Sequence, residues 1–207
     1  MRILVVGARG GLGQDIVAEA VARGHETDAL IRDSPRVAFS EAVQVVWGDV
    51  LDLSSLAAAV GGRDAVICAL GTPSPGSSST LLGQGTRNLV AVMSREGVPR
   101  LACVTLLGAG SSRANASLFY RWVILRALAP MLPDKEAQEQ AVRASDLEWV
   151  LVRPPRFVTR KPQGSIRVIR EGERGRLGHV VRADLARFLV DCAAEGRYVR
   201  EALAVGS

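Results

Sequence analysis

A glycine-rich turn, Gly7-Ala8-Arg9-Gly10-Gly11-Leu12-Gly13, follows directly on the short apolar run Arg2–Val6 and opens a stretch with apolar residues at helical spacing. A strand that runs into a bare turn and then into a helix constrains this chain more than any other feature. It reads as the first unit of a parallel α/β sheet, with a dinucleotide-binding turn at its crevice. Gly7 makes the tight turn, Gly10 lets backbone approach a pyrophosphate, and Gly13 lets the helix pack close to the strand. The phosphates would lie at the helix N-terminus, where free N–H groups and the helix dipole favour negative charge. A purely structural turn is the alternative, and the strand–turn–helix setting argues against it.

The alternation continues along the chain. Apolar runs at 27–31, 43–47, 65–70, 101–106 and 149–152 read as strands, and helical spacing marks 12–22, 54–60, 80–95 and 134–144. Asp134 is placed to cap the last of these helices. Pro154-Pro155 stops the sixth strand, because proline continues neither a central strand nor a helix. Beyond it lie a hairpin-like stretch near 166–170, a helix near 183–194 and a closing strand near 202–205. The expected fold class is α/β, a Rossmann-type doubly wound parallel sheet in strand order 3-2-1-4-5-6. No composition shift divides the chain, so residues 1–207 read as one domain, with the substrate-pocket elements in about 154–207.

A hydrophobic share of 48% beside 23% charged residues excludes a disordered chain. No apolar run approaches the roughly 18–20 residues of a membrane span. MRILVVG runs straight into the glycine turn instead of a small-residue cleavage site, so no signal peptide is expected. Cys68, Cys103 and Cys192 are widely spaced without a CxxC, which argues against a metal site and fits a reducing, cytoplasmic setting. The net charge of +5 is carried almost wholly by arginine, Lys135 and Lys161 being the only lysines. Scattered as they are, these cations read as a solvated surface, with nucleic acid as the lesser alternative.

Cofactor choice is read where strand two ends. NAD binders place a carboxylate there for the ribose 2′-hydroxyl. Here Arg32 stands in that place, followed by Ser34 and Arg36, with Arg9 on the same side. Guanidinium forks suit a 2′-phosphate, so NADP(H) is the expected cofactor. Asp33 falls one position late and reads as a local cap or ion pair. Asp49 and Val50, after strand three, could hold the adenine amino group and cover its ring; the alternative for Asp49 is a turn aspartate. Leu70, Gly71 and Thr72 end strand four at the same crevice.

Taken together, GARGGLG, ALIRDSPRV, GDVLD, ALGT, QGTRNLVAVM, DKEAQEQAVRASDLEWVLVRPP and RADLARFLV resemble the atypical short-chain dehydrogenase/reductases of the NmrA-like, NAD(P)-binding group. The likeness is greatest to the biliverdin IXβ reductase (flavin reductase) branch and spans nearly the whole chain. It implies a monomer-sized reductase with NADPH extended over the sheet edge. Arg32 and Arg36 would hold the 2′-phosphate, and backbone at Pro154, Pro155, Arg156 and Phe157 would meet the nicotinamide carboxamide. Hydride transfer then needs little beyond positioning in a closed apolar pocket.

The departures from that family bear on the chemistry. Carbonyl-reducing members protonate an oxygen with a YxxxK pair, yet Tyr120 is followed four residues on by Ile124. Thr105 matches the first residue of the family's Ser-Ser pair, whereas the catalytic second position is Leu106. Arg156 stands where the branch carries histidine; it would either anchor an anionic substrate or pair with a surface acid. Lys135 is the candidate polar group near the nicotinamide ribose, the alternative being a solvated helix lysine paired with Glu139. Tyr120 is the second catalytic candidate, the alternative being a packing role on a helix over 118–128 with Trp122 and Leu125. The expected function is NADPH-dependent reduction of a conjugated or quinone-like small molecule of the flavin or tetrapyrrole class, by a monomer or small homo-oligomer with no membrane association. A non-enzymatic NAD(P) sensor, or an epimerase, dehydratase or isomerase using NADP(H), is the alternative.

Overall fold

The computed structural model describes residues 1–32, 38–71, 80–117 and 120–207. Strands β1 (Arg2–Val6), β2 (Glu26–Ile31), β3 (Val43–Trp47), β4 (Ala65–Cys68), β5 (Arg100–Val104) and β6 (Glu148–Arg153) pair in parallel in the order β3-β2-β1-β4-β5-β6, as the βα alternation predicts. The sheet then extends through β10 (Glu201–Gly206), parallel to β6, to an antiparallel edge strand, β8 (Arg167–Arg170). The stretch near 166–170 is therefore not a hairpin: β8 finds its partner in the closing strand, thirty-odd residues away, and not in its neighbour. A separate parallel pair joins β7 (Arg156–Val158) to β9 (His179–Val181).

Side-chain alternation divides the core between the two faces of the sheet. Ile3, Val5, Ile67, Val104 and Val152 point toward α1 (Gly11–Ala22) and α6 (Arg182–Glu195), whose Ile16, Leu185 and Leu189 meet them. Leu4, Val66, Cys68, Cys103 and Leu151 point the other way, toward α2 (Leu53–Val60), α3 (Leu81–Glu96) and α5 (Leu132–Arg143). The two strand cysteines are thus small core residues, as their apolar surroundings in sequence suggested.

Asp134 does not cap its own helix. Pro133 sits in the first turn of α5, where its missing N–H is no loss, and the helix starts at Leu132. Asp134 is buried and accepts the N–H groups of Leu82 (3.0 Å) and Gly83 (2.8 Å), capping α3 from the neighbouring helix. Thr80, at the N-terminus of α3, supplies no side-chain cap of its own. Of the helix expected over 118–128, residues 118 and 119 lie outside the described residues; from Tyr120 on, a π-helical turn (Tyr120–Ile124) leads into the short α4 (Leu125–Ala127). Tyr120 and Leu125 are buried there, but Trp122 is 72% exposed and does not share their packing.

Candidate functional site: the crevice at the glycine turn

The turn behaves as its sequence requires at two glycines. Gly7 has φ +84°, and a Cβ on it would lie 2.6 Å from the carbonyl oxygen of Ala69. A Cβ on Gly13 would lie 2.2 Å from the Gly7 carbonyl oxygen, so helix and turn could not both hold their places. Gly10 is a different case. Its nearest contact would be 3.4 Å away, an ordinary distance, so internal packing does not require it to be bare. Gly10 is also the N-cap of α1 and offers no side-chain cap, and no acidic residue stands in the first turn. The N–H groups at Gly11, Leu12 and Gly13 therefore form an uncapped positive helix end, the arrangement that receives phosphate. Ala8 and Leu12 are buried and hold the turn on the core, while Arg9 is exposed beside it.

The remaining cofactor candidates fall around this turn with different fates. Arg32 follows β2 and is exposed. Ser34, Arg36 and Thr72 lie outside the described residues, as does Asp33. Asp49 is engaged in its own turn: its Oδ1 accepts the Leu51 N–H at 2.9 Å, and its carbonyl accepts the Asp52 N–H at 2.9 Å. Val50 is buried, and its carbonyl accepts from Asn88 Nδ2 at 2.9 Å. Leu70 is half-buried and Gly71 exposed at the end of β4. Pro154 and Pro155 are buried; the Pro154 carbonyl accepts the Leu107 N–H at 2.9 Å, binding the segment after β5 to the segment after β6. Arg156 and Phe157 are exposed on β7.

Behind the crevice lies a polar network that was only partly visible in the sequence. Lys135 is buried, not solvated. Its ammonium faces three acceptors: Gln138 Oε1 at 2.9 Å and the carbonyls of Val104 at 3.3 Å and Leu70 at 3.4 Å. Burial pulls its pKa below the ordinary lysine value, opposed by the thiols of Cys103 and Cys68 and the carboxylates of Asp134 and Glu139. Gln138 then turns its amide N–H to Thr86 Oγ1 at 3.1 Å. The surface pairing of Lys135 with Glu139 does not form, because Glu139 is committed elsewhere. Its Oε1 accepts from Thr105 Oγ1 (2.8 Å) and Arg153 Nε (2.9 Å), and its Oε2 from Arg153 Nη2 (2.6 Å). Burial opposes the charge on Arg153, but the Glu139 hydrogen bond and the Glu139 and Glu171 carboxylates raise its pKa above the ordinary value. Arg153 also reaches Ser111 Oγ at 3.1 Å. Two small cavities, about 160 and 250 Å³, flank Arg153 and do not touch the glycine turn.

Tyr120 packs with Leu107, Leu125, Ile169 and Leu177, and burial pushes its phenol up to about 12, so it stays protonated at any physiological pH. Arg182 was quoted in a motif but given no task by sequence. It stands over the turn: a Cβ on Gly11 would lie 2.5 Å from its Nη1, and its Nε holds Asp15 Oδ2 at 2.5 Å. The two partners are 167 residues apart, and no local pattern connects them. Among the described residues no His, Cys, Asp and Glu group could hold a metal ion. Nor is any described helix long and apolar enough to cross a membrane.

Comparison with known proteins agrees with this geometry. A family described as NAD(P)H-binding matches residues 7–196. An isoflavone reductase homologue from Zea mays is 41% identical over 91 residues, covering 39% of this chain and 29% of that protein. The chain spans less than two thirds of the length of this and other curated relatives that it matches. Among solved structures, a short-chain dehydrogenase/reductase from Veillonella parvula in complex with NADP superposes with a TM-score of 0.82 at 18% identity, over 100% of this chain and 94% of that one. ChuY, an anaerobillin reductase from Escherichia coli O157:H7, superposes with a TM-score of 0.76 at 22% identity, over 100% and 97%. These two likenesses are likenesses of fold.

Proposed function

This chain belongs to the NAD(P)H-binding family, and from that premise we propose that it is an NADPH-dependent reductase of a conjugated or quinone-like small molecule, of the flavin or tetrapyrrole class. The observation that carries the reading is the pairing of an uncapped, ligand-ready helix end with a crevice whose polar groups donate inward. Thr105 donates to Glu139, and the Lys135 ammonium faces three acceptors within the protein. Leu106 stands where a carbonyl reductase keeps a hydroxyl. An acceptor that takes a hydride into a conjugated system and draws its proton from solvent suits such a site.

The bound nucleotide would supply the hydride; this chain's residues would hold and orient it. In this reading Gly10 and the first turn of α1 take the diphosphate, and Arg9 and Arg32, with Ser34 and Arg36, take a 2′-phosphate in preference to a hydroxyl. Val50, Leu70, Gly71 and Thr72 bound the adenosine side, and backbone from Pro154 to Phe157 bounds the nicotinamide. Lys135 acts as a positioning residue that ties the ends of β4 and β5 together. Tyr120 remains a protonated phenol beside the substrate segments.

Mixing the purified protein with NADPH and a panel of flavins, quinones and linear tetrapyrroles tests this reading. We expect the reduced nucleotide to be consumed with at least one of them, followed by its absorbance. NADPH binding without turnover across the panel would overturn the reductase reading in favour of a non-enzymatic NAD(P) sensor.

A further inference from the structure

The charge of this chain is not evenly spread. Residues 156–178 carry seven cations and two carboxylates, and residues 106–131 carry three arginines and no acid, in a chain whose net charge is only +5. All other residues together are therefore net negative. The described residues of these two segments follow the crevice ends of β5 and β6 and meet in one lobe built against the sheet edge at β8. The Leu177 N–H donates to the Asn115 carbonyl at 3.2 Å, the Gly175 N–H to Asn115 Oδ1 at 3.3 Å, and Leu107, Tyr120 and Leu125 share an apolar cluster with Ile169 and Leu177.

Both carboxylates of the lobe are already engaged. Glu171 bonds Arg143, Ser111 and Arg153, and Glu173 accepts the backbone N–H of Arg170. Arg113, Arg126, Arg156, Arg160, Lys161 and Arg176 are exposed and make no ion pair among the described residues. The lobe also bears three of the large exposed apolar side chains: Trp122 at 72%, Val123 at 49% and Phe157 at 47%. In sequence each has a cation close by, Trp122 and Val123 lying between Arg121 and Arg126, and Phe157 directly after Arg156.

We propose that this lobe docks on an anionic lipid bilayer, its cations on the phosphates and Trp122, Val123 and Phe157 in the interfacial layer. Unneutralised cations spread over two segments suit an extended anionic surface better than one small anion. Tryptophan and phenylalanine among arginines are the side chains that settle at the headgroup level. A stacked single-stranded nucleic acid would use the aromatic faces but gains nothing from Val123. The proposal is independent of the reductase reading; joined to it, it would place the crevice beside a membrane that holds lipophilic acceptors.

Co-sedimentation of the full chain with vesicles tests it, using phosphatidylcholine alone and phosphatidylcholine with about 30% phosphatidylglycerol. The protein should sediment with the anionic vesicles and not the neutral ones, and about 0.5 M salt should release it. At about fivefold per charge near the surface, the double variant Arg160→Glu, Arg176→Glu should weaken partitioning by at least about twentyfold. Trp122→Ser should weaken it too, and both variants should melt as the wild type does because these side chains are exposed. Failure to bind anionic vesicles, equal binding by the variants, or tighter binding to a single-stranded RNA oligonucleotide than to the vesicles would overturn the proposal. NADPH titration of the same samples is expected to be unchanged and reads the crevice separately.

Discussion

Replacing Glu139 with alanine is expected to cost about 3–5 kcal/mol of folding stability, the penalty for leaving a buried partner charge uncompensated. Arg153 is 1% exposed and gives Glu139 two of its hydrogen bonds. Glu171 contacts the other side of the guanidinium at 3.5 Å and is too exposed to replace Glu139. Urea denaturation measures the effect as a lowered midpoint with little change in slope. The double variant Glu139→Leu, Arg153→Met should recover most of the loss, since an apolar pair of similar volume needs no desolvation. A single Glu139→Ala variant within about 1 kcal/mol of the wild type would show that the network is not needed for the fold.

The second large effect separates two glycines of one turn. Gly13→Ala sets a methyl 2.2 Å from a backbone oxygen, so α1 must lift off the turn. The expected cost is about 1–3 kcal/mol of stability, together with loss of measurable dinucleotide binding. Gly10→Ala meets nothing within the protein closer than 3.4 Å. Its stability should fall by no more than about 1 kcal/mol, as for an alanine at an N-cap. Its affinity for NADPH should nevertheless drop at least about tenfold, because the methyl projects where backbone and diphosphate must approach. Thermal melting and a fluorescence titration of NADPH on both variants separate the two effects. Equal NADPH affinity for Gly10→Ala and wild type would contradict the placement of the diphosphate.

These glycines also show what was legible in the residues and what was not. The turn, the strand order and the dinucleotide crevice follow from local pattern: a β-branched run, bare residues at fixed spacing and helical periodicity lie next to one another in the chain. Polar partners chosen across the fold do not. Asp134 looks like the cap of its own helix and serves α3 instead, because a proline moved the helix start and α3 lacked a side-chain cap. The spacing of Lys135 and Glu139 reads as a surface pair, yet α5 turns that face inward, where Arg153 and Thr105 claim the carboxylate and backbone carbonyls claim the ammonium. Arg182 and Asp15 meet over the turn from opposite ends of the chain. After β3, Asp49 accepts a hydrogen bond within its own turn, a partner that spacing alone left open.

The proposed chemistry requires that the first turn of α1 receive the diphosphate of a nicotinamide dinucleotide, with arginines at the adenosine end favouring the phosphorylated form. Calorimetric titration of the wild-type chain with NADPH and, separately, with NADH tests it most directly. One site per chain is expected, with NADPH at least about tenfold tighter than NADH for two guanidinium contacts to the 2′-phosphate. Tighter NADH binding would remove the role of Arg32 and Arg36 alone, whereas no heat with either nucleotide would contradict the central claim.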